Sequence, residues 1–419
     1  MSGSRPNVIV VGAGVIGVCS AYYLAKSGAS VTVVERDEVG RGASFGNAGA
    51  IAPGHTPINK PGRVRQAIKS LFDPVSPLYL APRWDPALVR WLWAFSRHCT
   101  PAHVTRAMQA LGPLGHESVA LYDRLMEEEP LACDFRREGY YDIFLTEQGL
   151  LGAEREAAVM QQHGYHPVIL DGDELRRREP AINQQMVGGV FYPEAATVDP
   201  YRFVLAMAER ARQHGATFRT GTEVVDVLER QGRVVGVRLS DAAVLEGDKV
   251  VIAAGAYSPA LTRKLGLRLP MQPAKGYHCD RLPRQGETPS LQRTLMLGEK
   301  SVFCSPMSGS VRFAGTLEFS GLNHAIRRPR LEQLTNAAKQ YLNGIGAAGA
   351  TSEWCGLRPC MSDGLPVLGP VPNHEGLFIA TGHAMLGLTL GPVTGKLVAE
   401  HVIGGSPSYD TAALGMDRF

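Results

Sequence analysis

No two cysteines in this chain stand in a CxxC spacing, and the seven present (Cys19, Cys99, Cys133, Cys279, Cys304, Cys355 and Cys360) are widely scattered. An odd, irregular set excludes a disulfide framework and any zinc or iron–sulfur cluster within the chain, so reduced thiols in a cytoplasm and no metal are expected. Blocks of one charge are also missing. A net charge of +3 over 419 residues makes no electrostatic case for nucleic acid, and no such partner is expected. No apolar run reaches the roughly 20 residues that span a bilayer. The opening MSGSRPNVIVV has no basic segment and no cleavage site, so no signal peptide is expected. What remains is an ordinary globular composition, 44% hydrophobic and 20% charged, long enough for two domains or one large discontinuous one.

The first informative stretch is VIVVGAGVIGVCSAYYLAKSGASVTVVERD, residues 8–37. A β-branched run breaks at Gly12, helix-compatible residues follow from Val15 to Lys26, Gly28 is the expected C-cap, and SVTVVE is a second strand. Gly12, Gly14 and Gly17 hold the G-x-G-x-x-G positions of a dinucleotide-binding βαβ unit. Gly12 permits the turn, Gly14 admits the pyrophosphate to the backbone, and Gly17 lets helix pack on strand. The helix N-terminus supplies free N–H groups and positive dipole to phosphates. Glu35 ends the second strand where a carboxylate accepts from ribose hydroxyls. The unit alone does not separate FAD from NAD.

Three later stretches bear on that choice. RGASFGNAGAIAPGH, residues 41–55, is too rich in small residues to be a helix or strand and reads as a loop passing close to something large. Ser44 and Asn47 are its best hydrogen-bonding candidates. In EGDKVVIAAGAYSP a strand ends in small residues at Ala254 and Gly255, able to close over a cofactor from the far side of the sheet. Near the C-terminus LFIAT, GHAMLGLTLG and PVTGKLVAEHVIG read as strand, loop and helix, the helix opening with proline in its first turn. A second helix N-terminus of this kind suits the electron-rich edge of a flavin, which gathers charge on reduction.

The order GAGVIG, SFGNAG, VIAAG, GLRP…DGLP, TGHAMLGLT resembles the FAD-dependent D-amino acid oxidase superfamily over nearly the whole chain, and within it bacterial D-amino acid dehydrogenases. Glycine and sarcosine oxidases are more distant relatives. The resemblance implies a mixed fold, α/β and α+β: a Rossmann-like FAD-binding domain interleaved with a substrate domain on a mostly antiparallel sheet. Residues 1–85, 194–269 and 352–419 are expected to form the first, 86–193 and 270–351 the second.

It also implies site residues. Gly12, Gly14, Val15, Ile16 and Gly17, with Glu35 and Arg36, are expected around the nucleotide, and the backbone of Val224 against adenine. Ser44, Asn47, Ala48 and Gly49, then Ala254 and Gly255, are expected along the cofactor. His383, Leu386, Gly387, Leu388 and Thr389 match the loop around the flavin pyrimidine. Arg358 in GLRP matches the carboxylate-binding arginine, whose planar fork fits a bidentate pair. Tyr277 and Lys275 in PAKGYH, and His55, are the remaining catalytic candidates, each with a plain structural alternative; for His383 the alternative is a backbone-satisfied histidine. Two positions depart from the pattern: Ala384, where many relatives carry a second glycine, and His55, where dehydrogenases often carry an aromatic.

The implied reaction is oxidation of a D-amino acid by hydride transfer from the α-carbon to flavin N5, with electrons passed to a respiratory quinone or an artificial acceptor. A cyclic substrate such as D-proline or D-hydroxyproline fits the same chemistry. The alternatives are a glycine- or sarcosine-type oxidase using oxygen, and an FAD-carrying subunit of a multi-chain dehydrogenase. Residues 84–97 hold Leu88, Trp91, Leu92 and Phe95 on one helical face beside Arg90 and Arg97. That face reads either as a peripheral contact with the cytoplasmic side of a bacterial inner membrane or as a helix packed on its own domain.

Overall fold

Strand Asn7–Val11 leads through Gly12 into helix Val15–Lys26, and the chain returns as strand Ser30–Val34, parallel to the first with Val11 beside Val34. The computed structural model containing this unit describes residues 5–70, 73, 76–282, 291–344 and 350–419; the first four residues of the opening lie outside them. Gly28 has φ +89°, as a helix-ending glycine should. Strand alternation divides two cores. Val8 and Val10 face helices Val15–Lys26, Pro200–Gln213 and Gly387–Ile403, whereas Ile9 and Val11 face a three-stranded antiparallel meander over Val224–Arg230, Arg233–Leu239 and Val244–Glu246.

The central sheet has six strands in the order Val367–Pro370, Leu377–Thr381, Lys249–Ile252, Asn7–Val11, Ser30–Val34, Thr217–Arg219. Only Val367–Pro370 runs antiparallel. Helices cover one face, the meander the other, as a mostly parallel sheet requires.

A second sheet of nine strands, mostly antiparallel, is built from Leu78–Leu80, Tyr140–Phe144, Val168–Asp171, Gly188–Tyr192, Met271–Arg281, Leu295–Leu297, Val302–Met307, Ser310–Phe319 and Ala350–Met361. Helix Arg328–Tyr341 buries Leu331, Leu334 and Ala338 against it. The mixed architecture is the one expected.

Three details differ from the sequence reading. The expected boundary at 352 falls inside strand Ala350–Met361, which pairs along its length with Met271–Arg281. Helix Pro101–Glu128, placed by sequence with the substrate segments, buries Ala107, Leu111 and Leu114 in the nucleotide-side core. The last helix begins at Gly387, so Pro392 lies inside it. That proline removes the N–H that Leu388 C=O would accept, and the Tyr122 hydroxyl donates to this carbonyl instead, at 2.7 Å.

The two N-terminal ends of helices Val15–Lys26 and Gly387–Ile403 come together because glycines let the helices touch. A methyl on Gly395 would stand 2.5 Å from the Cys19 carbonyl carbon. Tyr122→Phe leaves the Leu388 carbonyl short of a donor at that contact. It is expected to cost about 1–2 kcal/mol, read as a lower midpoint in thermal or urea unfolding.

Candidate functional site

The nucleotide motif closes on itself through specific contacts. Gly12 N–H donates to Val34 C=O at 2.8 Å and takes φ +105°, with a hypothetical Cβ only 2.6 Å from Ala253 O. A methyl on Gly17 would collide with the Gly12 carbonyl. Glu35 Oε2 accepts from Ala13 N–H at 2.7 Å and Oε1 from Asp37 N–H at 3.0 Å, so the acid also holds the loop. Ser44 Oγ accepts from Val15 N–H at 3.0 Å.

These groups open on a cleft of ≈ 420 Å³. Gly14, Val15, Ile16, Glu35, Arg36, Ser44 and Asn47 line it from the N-terminal unit. Val224, Ala254 and Gly255 line it from the middle of the chain, and Arg358, His383, Gly387 and Leu388 from the C-terminal part. Arg36 stacks 3.6 Å over the Tyr257 ring, whose hydroxyl meets His324 Nε2 at 2.9 Å.

A second cavity of ≈ 410 Å³ shares Asn47 and Arg358 with the first. Ala48, His55, Leu386 and Thr389 line it, together with Thr316, Phe303 and Met385. Thr389 Oγ1 accepts from Ala52 N–H at 3.0 Å, which leaves its proton free to donate. The first intrahelical bond of the last helix is Leu390 N–H to Leu386 C=O at 2.8 Å, so the amides of Gly387, Leu388 and Thr389 precede the ladder and face the site.

The loop between the cavities is pinned from the second sheet. His278 Nδ1 meets Gly46 O at 3.1 Å, and Arg312, bidentate to Asp280 at 2.8 and 2.9 Å, donates to Asn47 O at 3.0 Å. Gly49 lines neither cavity; it turns the loop at φ +80° and donates to Asn47 Oδ1 at 2.9 Å.

Arg358 is the cation of the junction. It donates to Thr316 C=O at 2.7 Å, and no carboxylate among the described residues lies within ion-pair distance. Burial lowers its pKa from the ordinary value. Gly276 is the neighbour that makes room, because a Cβ there would run into the guanidinium.

Lys275 and Tyr277 do not reach either cavity. Along this strand Ala274 packs with Ala384 and Met385, Gly276 lies against the Arg358 guanidinium and His278 meets Gly46 O, whereas Lys275, Tyr277 and Cys279 alternate to the opposite face. Lys275 lies 3.7 Å from Glu318 and bonds Ala325 O at 2.9 Å; the Tyr277 hydroxyl donates to Glu318 at 2.8 Å. Their placement is that of a buried ionic cluster. The sequence pointed to the right strand and the wrong face.

His383 lines the cleft and meets Thr394 Oγ1 at 3.0 Å through Nε2, with Nδ1 buried and unpartnered. Ala384 sits at φ +47°, a conformation glycine adopts freely, and its N–H donates to Pro359 O at 3.0 Å. Trp354, Tyr257, Thr316 and a charged group at Lys60, Arg63, Asp142 and Glu156 also line the site and were not read from sequence. Single aromatic or charged residues carry no spacing signal.

The helical stripe Leu88, Trp91, Leu92, Phe95 packs inward. Trp91 is 3% exposed, stacks on Phe95 and donates to Cys360 O at 3.0 Å. The alternative reading of that stripe is the one the structure adopts. The opposite face leaves Trp84, Val89 and Trp93 exposed beside Arg90 and Arg97. Among the described residues no helix is long and apolar enough to cross a membrane.

A glycine-rich turn, an acid ending the second strand and a second helix terminus along one cleft, with an arginine at its end that has no carboxylate partner among the described residues, are the features of a redox flavoprotein-type site. The chain belongs to the DAO family of FAD-dependent oxidoreductases, whose family model matches residues 7–401. It is 34% identical over 418 residues to the D-amino acid dehydrogenase of Xanthobacter autotrophicus, covering 99% of each chain. It is equally 34% identical to that of Rhizobium johnstonii, over 99% of this chain and 100% of the relative. Among solved structures, glycine oxidase from Geobacillus kaustophilus matches over 100% of both chains with a TM-score of 0.76 and 25% identity. L-proline dehydrogenase from P. horikoshii matches with a TM-score of 0.76 over 99% of this chain and 98% of its own, at 19% identity. FAD is therefore the cofactor. The donor set fits it: unladdered amides at two helix ends and the Thr389 hydroxyl border these cavities, and His383, with a buried and unpartnered Nδ1, lines the first.

Three histidines at the site are held neutral. Burial, with Lys60 and Arg63 nearby, pushes His55 down to about 4; burial with Arg312 does the same for His278, to about 4; burial alone takes His383 to about 3. At these three groups the unfolded chain binds more protons than the native one between pH about 4 and 6.5, so their contribution to stability falls as pH drops through that window. Thermal unfolding midpoints are expected to decline from pH 6.5 to 4.5. His55→Gln should make the decline shallower, by up to about 1.4 kcal/mol per pH unit.

Proposed function

We propose that this chain oxidises a D-amino acid at its α-carbon to an imine, which water converts to a 2-oxo acid and ammonia. The observation that carries the reading is Arg358: a largely enclosed cation with no acidic partner among the described residues, set where the two cavities meet. A substrate α-carboxylate supplies the missing partner, and a bidentate pair fixes the direction of the α-C–H. Bound FAD supplies the acceptor for the hydride. The Ile16 amide with Glu35 and Val224 would hold its nucleotide, in a turn that the Val15 N–H to Ser44 Oγ bond keeps in shape; Asn47, the Gly387–Thr389 amides and the Thr389 hydroxyl would hold its other end. His55, neutral above pH about 4, lines the substrate cavity without adding a second positive charge beside Arg358. No acid–base dyad is needed when the substrate enters as the free amine.

Electrons then leave to a quinone of a respiratory chain or to an artificial dye. A cyclic substrate such as D-proline or D-hydroxyproline keeps the imine in the ring and releases no ammonia. A second reading, a glycine- or sarcosine-type oxidase using oxygen, is favoured by the full-length match to glycine oxidase. The test is anaerobic bleaching of the flavin band by D- and L-amino acids, glycine and sarcosine, followed by air. Slow recovery supports a dehydrogenase, fast recovery with peroxide the oxidase. Arg358→Lys, which keeps charge but loses the fork, is expected to raise KM about 100-fold or more; an unchanged KM removes Arg358 as the clamp.

Trp84, at 92% exposure, and Trp93, at 63%, with Arg90 and Arg97 beside them, support a peripheral contact with an anionic lipid surface on the cytoplasmic side. Arg97 stacks 4.8 Å from the Trp93 ring. Cosedimentation with anionic vesicles should fall about tenfold in a Trp84→Ser, Trp93→Ser variant. No binding by the unaltered protein removes the contact.

A further inference from the structure

The substrate cavity has a polar wall that the proposed chemistry does not use. Lys60 and Arg63 come from the segment around helix Arg63–Ser70, Asp142 from strand Tyr140–Phe144, and Glu156 from helix Glu147–Gln161. Three separate elements thus bring charged groups to the cavity that also holds Arg358. Lys60 Nζ is 2.6 Å from Glu156 Oε2. Arg63 donates to Gln66 Oε1 at 2.6 Å and has no carboxylate within ion-pair distance among the described residues. Asp142 Oδ2 has only a long contact, 3.5 Å, with the Tyr192 hydroxyl, and its buried Oδ1 has no partner. Glu299 lines the same cavity but is spent: it accepts from Leu145 N–H, from Thr146 and from the Tyr341 hydroxyl.

An aliphatic side chain placed here would cover these groups without bonding them, the arrangement that gives an enzyme its sharpest discrimination. The wall is not neutral between donors and acceptors. Burial and the charge of Glu156 push Asp142 up to about 8, so near neutral pH it carries a proton to donate. Glu156 is held ionised, chiefly against burial, by Lys60. Lys60, Arg63 and Asp142 therefore donate, and the two acceptors Glu156 and Glu299 are already engaged by Lys60 and by Leu145, Thr146 and Tyr341.

We infer that the substrate carries a hydrogen-bond-accepting group beyond its α-carbon, and that Lys60, Arg63, Asp142 and Glu156 select for it against aliphatic amino acids. The inference rests on the amino-acid reading above. Hydroxyl, amide carbonyl and carboxylate share this chemistry.

The test uses the unaltered flavoprotein and matched pairs in anaerobic stopped-flow: D-asparagine against D-leucine, D-glutamate against D-norvaline, and 4-hydroxy-D-proline against D-proline. The polar member of at least one pair is expected to reduce the flavin with at least about 100-fold higher efficiency, and the pair that does so identifies the group. Equal or better reduction by the apolar member of every pair overturns the inference while leaving amino-acid oxidation standing. No reduction by any compound overturns both. Lys60→Met and Asp142→Leu, checked for flavin content, should each narrow the polar-to-apolar ratio about tenfold or more. An unchanged ratio in both removes the wall as its cause.

Discussion

The close contact between helices Val15–Lys26 and Gly387–Ile403 is the constraint on which the site depends. Gly391 and Gly395 lie against Val15 and Cys19 with no room for a side chain at Gly395. Because the helices touch, their N-termini open on the same cleft, and unladdered amides border it from two different parts of the chain. Everything else is fitted around that contact. The six-stranded sheet carries both helices, Tyr122 and Ser118 tie the carbonyls of Leu388 and Thr389 to helix Pro101–Glu128, and the loop from Gly46 to Gly49 spans the gap.

Two treatments of buried charge stand side by side on adjoining strands. Glu318 is surrounded: Lys275 and Arg330 each approach to 3.7 Å and Tyr277 bonds it, with all four residues at most 1% exposed. Ion-paired in this way, the cluster joins one face of the sheet to helix Arg328–Tyr341. On the other face Arg358 has a carbonyl and, among the described residues, no acid. The difference separates a structural ion cluster from a group free to bind a charged ligand. Neither residue type nor burial alone distinguishes them.

Much of the nucleotide side was legible in the chain because its chemistry is local. A turn needing Gly12, a close approach needing Gly17 and an acid ending the next strand all fall within one strand–helix–strand unit, so spacing reports them directly. The substrate side was less legible. Tyr277 and Lys275 lie on a strand that does pass the site, yet a bulge-bearing, two-sided strand gives no local sign of which face looks inward. The stripe from Leu88 to Phe95 had the same ambiguity, since an apolar helical face packs equally well on lipid or on protein. Pro392 looked like a helix start, and only the Tyr122 hydroxyl explains how it can lie further in.

The sequence by itself determined the mixed fold, the dinucleotide unit and the family, because glycine geometry and strand periodicity act over a few residues. Tertiary structure alone decided that Arg358 has no carboxylate partner among the described residues, and that Lys60, Arg63, Asp142 and Glu156 share its cavity. These facts depend on which charges three distant segments bring within a few ångströms of one another. Electrostatic pairing is a property of distance in space, and spacing along a chain does not carry it.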